Sequence, residues 1–436
     1  MHRIFRSFPI KDVPGTKMKM LNWASRFNIF CFLDDHGYGL PLHGQELLVG
    51  AGARHRYEPA SGQALAGLDG FMHDHQDWIM GHFSYDLKNE IETLRSAHPE
   101  RTGFSDLGLF VPEVLVTLRQ EVLSIGLYDE THEEVLKEII SAEVPLPQVT
   151  LKGLGPIVHG MSERGYMDVI AALQAHIRHG DCYELNFCME HHTTVSTLDP
   201  VGVFAILSAV SPNPFSALYR NGDAWLLCAS PERFLRKHGG RLHAQPIKGT
   251  SPRHPADKEQ DERSRLALMT SGKERSENVM VVDLVRNDLS RICIEGSVRV
   301  DELFGVRSFP QVHQMISTVS GIADPRAGFS DILRAAFPMG SMTGAPKRRV
   351  MELIERYEGF RRGLFSGAVG YFTPDGDFDL NVVIRSLMYN GTTGRLSFPT
   401  GSGITFYADA RQEYAECLLK AAAMEKTLKL ATGSGS

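Results

Sequence analysis

The chain has 436 residues, of which 42% are hydrophobic and 22% are charged, and its formal net charge is −6. This composition is typical of a globular protein with one large or two ordinary domains. The small acidic excess argues against nucleic acid or an anionic membrane as a partner, so a small anionic ligand would need a local cationic pocket.

Neither the cysteines nor the N-terminus indicates a special compartment. The six cysteines are scattered and form no C-x-x-C pair, which argues against a zinc site or a disulfide framework. The opening sequence MHRIFRSFPIKDVPGTK lacks the apolar core of a signal peptide, and no run of eighteen apolar residues could span a bilayer. We therefore expect a cytoplasmic protein.

The predicted elements divide the chain into two regions. Residues 1–150 combine short apolar runs, such as Ile29 to Leu33 and Val111 to Leu118, with glycine and proline breaks, which predicts a strand-rich N-terminal region. The segment Ser141 to Pro156 is rich in proline and glycine and contains few charges. It predicts the connection to a second region over residues 155–430.

The second region opens with a predicted helix in SERGYMDVIAALQAHIRHGDCYELNF. Ser162 begins it, apolar residues follow at helical spacing, and Gly180 predicts its end. A strand is expected to come next.

The string SPERFLRKHGGRLHAQPIKGTSPR carries two residues suited to catalysis, Glu232 and Lys248. A lysine held next to Ile247 and Gly249 in a desolvated pocket would lose its proton readily and could act as a nucleophile. A carboxyl group in such a pocket would have a raised pKa and could serve as a general acid. The alternatives are a surface lysine in a hairpin and a carboxylate at the rim of the site.

Two later helices each carry a pair of glutamates. Glu274 and Glu277 precede the apolar run NVMVVDLV, while Glu413 and Glu416 lie in ADARQEYAECLLKAAAM, with Lys420 one turn further on. Residues at this spacing share one face of a helix, and a solvated face is the alternative for each pair. Because both pairs lie among apolar residues, their charges favour a neutralising cation. Four carboxylates would suit Mg²⁺, a hard cation that prefers oxygen ligands.

Three glycine-bearing strings suggest an anion pocket. GSMTGAPKRRVMELIERYE predicts a loop that leads into a helix, where Ser341, Thr343 and Gly344 can offer hydroxyl and backbone N–H groups to an anion. GSGITFYADA, which begins at Gly401, can form a backbone nest for a carboxylate. The third string is GLFSGAVGYF, and turns between strands are the alternative explanation for all three.

Arg385 stands among apolar residues in NVVIRSL, which predicts a guanidinium group on a core-facing strand. A buried guanidinium requires a partner. That partner is either a substrate carboxylate bound through two hydrogen bonds or a carboxylate of the protein in a structural salt bridge.

Taken together, these strings resemble the chorismate-utilising enzymes, in the order in which that family carries them. They are SPER, PIKGTSPR, KERSENVMVVDLVRNDLSRI, VHQMISTVSG, FPMGSMTGAPKRRVMELIE, GLFSGAVGYF, NVVIRSL and GSGITFYADARQEYAECLLK, and they lie between residues 160 and 425. The resemblance implies an α/β (α+β) fold like that of anthranilate synthase component I, with two large, mostly antiparallel sheets packed face to face and flanked by helices. It makes residues 155–430 the expected chorismate-binding catalytic domain.

The resemblance also implies Mg²⁺ as the cofactor and a set of binding residues. The acidic positions around the metal correspond to Glu274, Glu277, Glu413 and Glu416. The positions that hold the carboxylates of the substrate correspond to Arg385 and the backbone of Gly401, Ser402 and Gly403, and Lys420 closes the site near the metal. Gly344 completes the predicted substrate-binding set.

Four further positions match catalytic or ring-lining residues of the family. Glu232 matches the general acid that protonates the departing C4 hydroxyl group of chorismate. Lys248 matches the nucleophile that attacks C2 and gives a covalent intermediate, which ammonia then opens at C4. Thr250 and His313 match residues that line the ring.

The string PIKGT distinguishes branches of the family. Branches that form anthranilate, by amination at C2, or salicylate typically carry alanine at the position of Lys248, whereas the branch that aminates C4 carries lysine. We therefore predict C4 amination, on the route to p-aminobenzoate and folate. No glutaminase-like sequence is present, so ammonia is expected from a separate glutamine amidotransferase subunit. The alternatives are anthranilate synthase component I and a catalytically inactive chorismate-binding regulatory paralogue.

Two positions depart from the family pattern. Glu184, in CYELNF, stands where amine-forming members usually have glutamine and where isochorismate or salicylate synthases have lysine. Phe365, in GLFSGAVGYF, stands where tyrosine is often found, so a hydroxyl group that contacts the substrate is missing from this chain. Both departures leave the alternative of an inactive paralogue open, whereas the four metal carboxylates, Glu232 and Lys248 argue against it.

Overall fold

A computed structural model describes residues 2–39, 46–144, 151–310 and 312–433 of the chain. These residues form two large β-sheets and two small ones, with helices against them. No helix in the described ranges is long and apolar enough to cross a membrane.

The strands are numbered in chain order. They are β1 (Ile4–Pro9), β2 (Ile29–Asp34), β3 (Leu47–Ala51), β4 (His55–Tyr57), β5 (Ile79–Phe83), β6 (Leu107–Val111), β7 (Val114–Arg119), β8 (Val122–Leu127), β9 (Leu151–Lys152), β10 (Val158–His159), β11 (Glu184–Met189), β12 (His191–Thr194), β13 (Thr197–Leu198), β14 (Phe215–Asn221), β15 (Ala224–Ser230), β16 (Arg233–His238), β17 (Arg241–Gln245), β18 (Ile247–Pro252), β19 (Arg299–Ser308), β20 (Val312–Ile322), β21 (Gly344–Ala345), β22 (Ala368–Phe372), β23 (Phe378–Asn381), β24 (Ser386–Asn390), β25 (Arg395–Ser397) and β26 (Thr400–Ile404).

The helices are numbered in the same way. They are α1 (Val13–Ala24), α2 (Leu68–Asp74), α3 (Lys88–Ile91), α4 (His132–Ser141), α5 (Glu163–His179), α6 (Pro200–Val210), α7 (Lys258–Thr270), α8 (Gly272–Ser290), α9 (Phe329–Ala336), α10 (Lys347–Tyr357) and α11 (Ala410–Ala431), and 3₁₀ turns span Tyr85–Leu87 and Gly340–Met342.

Both large sheets are antiparallel. The first has the strand order β1-β8-β7-β3-β2-β14-β15-β24-β25-β12-β10, and the second has the order β18-β20-β17-β16-β23-β22-β5-β6-β4, with β19 paired to β20. Each contains strands from before and after residue 150, as in the pairings of β2 with β14 and of β5 with β22. The predicted connection at Ser141 to Pro156 falls partly on residues 145–150, outside the described ranges, and the division into two domains stays a prediction.

One apolar core lies between the two large sheets. Cys31 and Tyr219 from the first sheet belong to the same buried cluster as Met80 and Val369 from the second. Because side chains alternate along a strand, the neighbouring residues point to the opposite face. On the first sheet that face packs against α1, α4, α6 and α11. The predicted architecture of two large sheets packed face to face with flanking helices is confirmed.

The helices predicted around the motifs are also confirmed. Ser162 accepts a hydrogen bond from the Gly165 N–H and so caps α5. The helix ends at Gly180, whose φ of 84° is a left-handed conformation that glycine adopts without strain. Strand β11 follows, and the two glutamate-bearing segments form α8 and α11.

A small sheet of three strands, in the order β21-β11-β26, carries several of the predicted site residues. Strand β11 pairs with β26 so that Asn186 lies opposite Gly403, and with β21 so that Leu185 lies opposite Gly344. Helices α5, α10 and α11 pack around this sheet through a separate apolar cluster. The small sheet therefore holds the glycine strings next to the start of β11.

Candidate active site

Lys248 lies on β18 and points toward the start of β11. Its Nζ atom donates a hydrogen bond to Oε1 of Glu184 at 2.9 Å. The Lys248 side chain is 13% exposed, so the alternative of a surface lysine does not hold. The register of β18 shifts here, which forms a β-bulge. At the bulge Gly249 has a φ of 93°, and a Cβ atom at that residue would lie 2.9 Å from a carboxylate oxygen of Glu274. This bulge brings β18 close to α8.

The sequence predicted a neutral amine at Lys248, whereas its surroundings in the structure favour a charged ammonium group. Burial lowers the pKa of the amine, but the nearby carboxylates of Glu184 and Glu277 outweigh burial and raise that pKa above its usual value. The pocket is desolvated but also acidic, and carboxylates at this distance stabilise an ammonium group. In this arrangement the amine is therefore protonated, and it must give up a proton before it can act as a nucleophile.

Glu232 occupies the short link between β15 and β16 and is 5% exposed. The hydroxyl group of Ser341 donates a hydrogen bond to Oε1 of Glu232 at 2.7 Å. Burial raises the pKa of the Glu232 carboxyl group to about 7, while the Ser341 hydrogen bond and the Lys248 charge act in the opposite direction. A carboxyl group with this pKa retains a proton near neutral pH, as a general acid must.

Gly403 of β26 borders the Lys248 amine. A Cβ atom at Gly403 would lie 3.0 Å from Nζ of Lys248 and 3.1 Å from Oε1 of Glu184. The carbonyl group of Gly401 accepts a hydrogen bond from Nζ of Lys420 at 2.8 Å. The hydroxyl group of Ser402, which is fully buried, lies 2.9 Å from that of Tyr166. The Ser402 side chain also forms a hydrogen bond with Glu413, one of the four predicted metal ligands.

The four predicted metal ligands lie on two helices that meet at Lys273. Its Nζ atom is 3.3 Å from Oε1 of Glu413, on α11, and 3.9 Å from Oε1 of Glu277, on α8. Burial raises the pKa of Glu277 to about 7 and also raises the pKa values of Glu274 and Glu413. Glu416 differs, because burial is outweighed there by an ion pair of 2.6 Å with a lysine, which lowers its pKa.

The chemistry of these side chains fits a hard cation. Carboxylates whose pKa values are raised by burial are disfavoured in their charged form, and a bound cation would relieve that cost. In the part of the chain that the structure describes, no three acidic, histidine or cysteine side chains converge as a metal site. Lys273 supplies the positive charge between the two helices in this arrangement.

Arg385 does not lie on a strand, contrary to the prediction. It occupies the bend before β24 with a φ of 52°, a left-handed conformation that is strained for a side chain other than glycine. Burial lowers the pKa of its guanidinium group, and the charge of Glu416 opposes this shift. Over the described ranges no carboxylate lies within 4.0 Å of that group, so the salt-bridge alternative gains no support. A carboxylate ligand would supply the missing partner.

The loop that carries Gly344 leads into α10, as predicted, but Gly344 lies three residues before the first residue of that helix. Gly344 lies in β21, where a Cβ atom would collide with the carbonyl oxygen of Glu184 at 2.0 Å. Thr343 is fully buried and donates a hydrogen bond to the carbonyl group of Met339. This loop positions β11, and through Ser341 it positions the Glu232 carboxyl group. Binding of an anion by its backbone stays a prediction.

The two predicted ring-lining residues lie on neighbouring strands, Thr250 on β18 with Lys248 and His313 on β20. Thr250 is exposed. His313 is fully buried, and its ring forms hydrogen bonds with Oγ of Ser308 at 2.8 Å and Oδ1 of Asp261 at 3.2 Å. A role for either residue at the ring stays a prediction. Phe365, the second departure, is 1% exposed and belongs to the core between the sheets.

The structure adds two residues to the predicted set and gives a third a different partner. Glu184 binds the Lys248 amine, and Lys273 bridges the two glutamate-bearing helices. Ser341, whose hydroxyl group was expected to serve a bound anion, instead donates to the Glu232 carboxyl group. Glu184 was visible in the sequence only as a departure from a family pattern, and Lys273 stands in a motif that already carried other predicted residues.

A family model described as chorismate binding enzyme matches residues 45–426, and the chain belongs to this family. Aminodeoxychorismate synthase component 1 of Escherichia coli (strain K12) is 32% identical over 354 residues, which cover 81% of this chain and 77% of that protein. Aminodeoxychorismate synthase of Streptomyces griseus is 41% identical over 290 residues, 66% of this chain but only 39% of that protein.

Other relatives have a different name. Anthranilate synthase component 1 of Thermus thermophilus is 33% identical over 362 residues, 81% of this chain and 78% of that protein. The crystal structure of anthranilate synthase component I from Streptococcus pneumoniae TIGR4 superposes with a TM-score of 0.76 at 24% identity, covering 89% of this chain and 94% of that one. This likeness shows the fold.

Proposed function

We propose that the chain is component I of an aminodeoxychorismate synthase, which converts chorismate and ammonia to 4-amino-4-deoxychorismate. The observation that carries the proposal is the buried Lys248 amine, held between Glu184 and Gly403 within the string PIKGT. Overall identity separates amination at C4 from amination at C2 only weakly, because the relatives named aminodeoxychorismate synthase are 32% and 41% identical to this chain and anthranilate synthase component 1 of Thermus thermophilus is 33% identical. The lysine does separate them, since it can occupy C2 and leave C4 for ammonia.

The residues of the site suit a reaction in two stages. The Lys248 amine attacks C2, the two conjugated double bonds of the ring shift, and the C4–O bond breaks. Glu232 gives its proton to the departing hydroxyl group, which leaves as water. Ammonia then attacks C4, the double bonds shift back, and the C2–N bond breaks to release the lysine. Arg385 and the backbone of Gly401 and Gly403 hold the carboxylates of the substrate.

Mg²⁺ is the proposed cofactor, with Glu274, Glu277, Glu413 and Glu416 as its ligands. The bound ion would supply positive charge to a carboxylate of the substrate. The raised pKa values of the first three glutamates support this assignment.

Removing one ligand from each helix is expected to weaken metal binding. Glu277→Gln and Glu413→Gln should each raise the dissociation constant for Mg²⁺ at least about tenfold, because each replaces a charged oxygen donor with a neutral one. Isothermal titration of the full chain with Mg²⁺ measures this directly. The matched control is Glu425→Gln on α11, away from the four ligands. Equal affinity in all four proteins would contradict the assignment.

Ammonia is proposed to come from a separate glutamine amidotransferase subunit. The words "component 1" in the name of the Escherichia coli relative support a second component. A lyase would then be needed to form p-aminobenzoate from the product. Residence in the cytoplasm also stays a prediction.

A product assay tests the proposed function. The full chain is incubated with chorismate, Mg²⁺ and an ammonium salt, with and without aminodeoxychorismate lyase. We expect p-aminobenzoate only when the lyase is present, and no fluorescent anthranilate. Anthranilate formed without lyase would favour the anthranilate synthase alternative. Chorismate binding without turnover would favour the inactive paralogue.

A further inference from the structure

The carboxyl group of Glu184 is buried and only half used. The residue is 4% exposed, and its Oε1 atom accepts the hydrogen bond from Lys248. Its Oε2 atom is also buried, and no described residue donates a hydrogen bond to it. The backbone of Glu184 is held by the pairing of β11 with β21, which places Glu184 opposite Ala345. The fold therefore fixes a carboxylate beside the proposed nucleophile and leaves one oxygen without a partner.

We propose that Glu184 is a catalytic base, which takes a proton from the Lys248 ammonium group before the attack on C2 and returns it at the end of turnover. This inference rests on the proposed function and deepens it. The amide that amine-forming members of the family usually carry at this position could accept the same hydrogen bond but not the proton, so this role belongs to chains with glutamate here.

The neighbouring charged groups are less suited to this task. Glu274 and Glu277 face the amine from α8, and Glu232 faces it from the link between β15 and β16. Of the carboxylates on described residues, Glu184 alone is within ion-pair distance of Nζ. Glu232 must carry a proton for the departing hydroxyl group, so it cannot also accept one in the same step.

Lys420 approaches from α11, where it binds Glu416 and the carbonyl group of Gly401. Being a cation, it cannot accept the proton. Glu416, whose carboxylate also feels the charge of Lys248, is paired with Lys420 at 2.6 Å. Among these groups Glu184 is the acceptor in hydrogen-bond contact with the Lys248 amine.

The protons balance over a full turnover with this assignment. In the first stage the ammonium group of Lys248 gives one proton to Glu184, the free amine forms the bond to C2, and the proton of Glu232 leaves with the C4 oxygen as water. In the second stage ammonia forms the bond to C4, and the ammonium group so formed gives its extra proton to Glu232. The C2–N bond breaks, and the released lysine takes its proton back from Glu184.

The test uses Glu184→Gln in the full chain with chorismate and Mg²⁺, in the absence of ammonium. Acid quenching followed by peptide mass spectrometry measures the rate at which Lys248 gains the mass of chorismate less water. We expect the rate at neutral pH to fall about 100-fold in the variant. As the pH is raised toward about 9, solvent can remove the lysine proton instead, so the ratio of the wild-type rate to the variant rate should shrink. Ionisation of Glu232 affects both proteins and cancels in that ratio.

Two controls separate a base from a structural role. Glu190→Gln makes the same chemical change at the residue after β11, where the carboxylate binds Arg395 outside the site, and should leave the adduct rate unchanged. Thermal unfolding and chorismate binding establish that Glu184→Gln is folded. A wild-type rate in Glu184→Gln, or an equal loss at every pH, would overturn the role of Glu184. If the wild-type chain forms neither adduct nor aminated product, the proposed function itself fails.

Discussion

Lys248→Ala is expected to reduce the rate of C4 amination about a thousandfold or more, which is the largest effect we expect from a single substitution in this site. The variant has no amine to occupy C2, so the ring has no covalent intermediate for ammonia to open. The change also removes the Nζ atom that fills the space next to Gly403, where an added Cβ atom would lie only 3.0 Å from it. We expect that space to be open beside C2 in the variant. Some amination at C2 should then appear as fluorescent anthranilate. Lyase-coupled p-aminobenzoate formation and anthranilate fluorescence, followed in parallel, measure both changes.

The control for this prediction is Lys248→Arg. Arginine keeps a positive charge for Glu184 to bind, but it does not lose its proton and cannot act as a nucleophile. It should be as inactive at C4 as the alanine variant while retaining the fold. Lys237→Ala, which removes a lysine on β16 that donates to the carbonyl group of Gly376, should have wild-type activity. C4 amination at the normal rate in either Lys248 variant would remove the nucleophile from the proposal.

Glu232→Gln is expected to reduce turnover by about 10² to 10⁴, because the departing hydroxyl group loses its proton donor. The Glu232 carboxyl group acts in its protonated form, and its pKa is raised to about 7 by burial. Wild-type kcat should therefore fall as the pH rises through about 7, and this decline should be absent from the glutamine variant. A series of kcat measurements at constant free ammonia concentration tests both expectations.

Ser341→Ala provides an internal check on the sign of this effect. The Ser341 hydroxyl group donates to the Glu232 carboxyl group and lowers its pKa. Without that hydrogen bond the pKa should rise further, and the decline in kcat should move to higher pH. A shift toward lower pH, or a Glu232→Gln variant with normal turnover, would show that another group protonates the leaving hydroxyl.

Much of the local structure was predictable from the sequence, because the signals that define it are local. Ser162 and Gly180 mark the ends of α5, and the spacing of Glu274 and Glu277 places them on one helix face. The prediction of two large antiparallel sheets came from the resemblance to a family and not from the periodicity of the sequence. Their strands pair across long stretches of chain, as β5 pairs with β22, and no local pattern reports such partners.

The features that differ from the sequence-based expectations depend on neighbours distant in sequence. Arg385 lies in a left-handed bend, although the apolar residues around it suggested a strand. The Lys248 amine is held protonated, although its own neighbours in the chain suggested a neutral amine. Gly344 is required by the approach of β21 to β11, which its own string did not indicate. In each case the packing of another segment of the chain decided the outcome.

The sequence by itself determined which chemical groups are present and how they are spaced along single helices and strands: the nucleophilic lysine, the acidic pairs and the glycine strings. Only the tertiary structure decided which of these groups meet. Glu184 and Lys248 are 64 positions apart, and Ser341 and Glu232 are 109 positions apart. The physical reason is that a pKa depends on burial and on nearby charge, and both arise only when distant segments pack together.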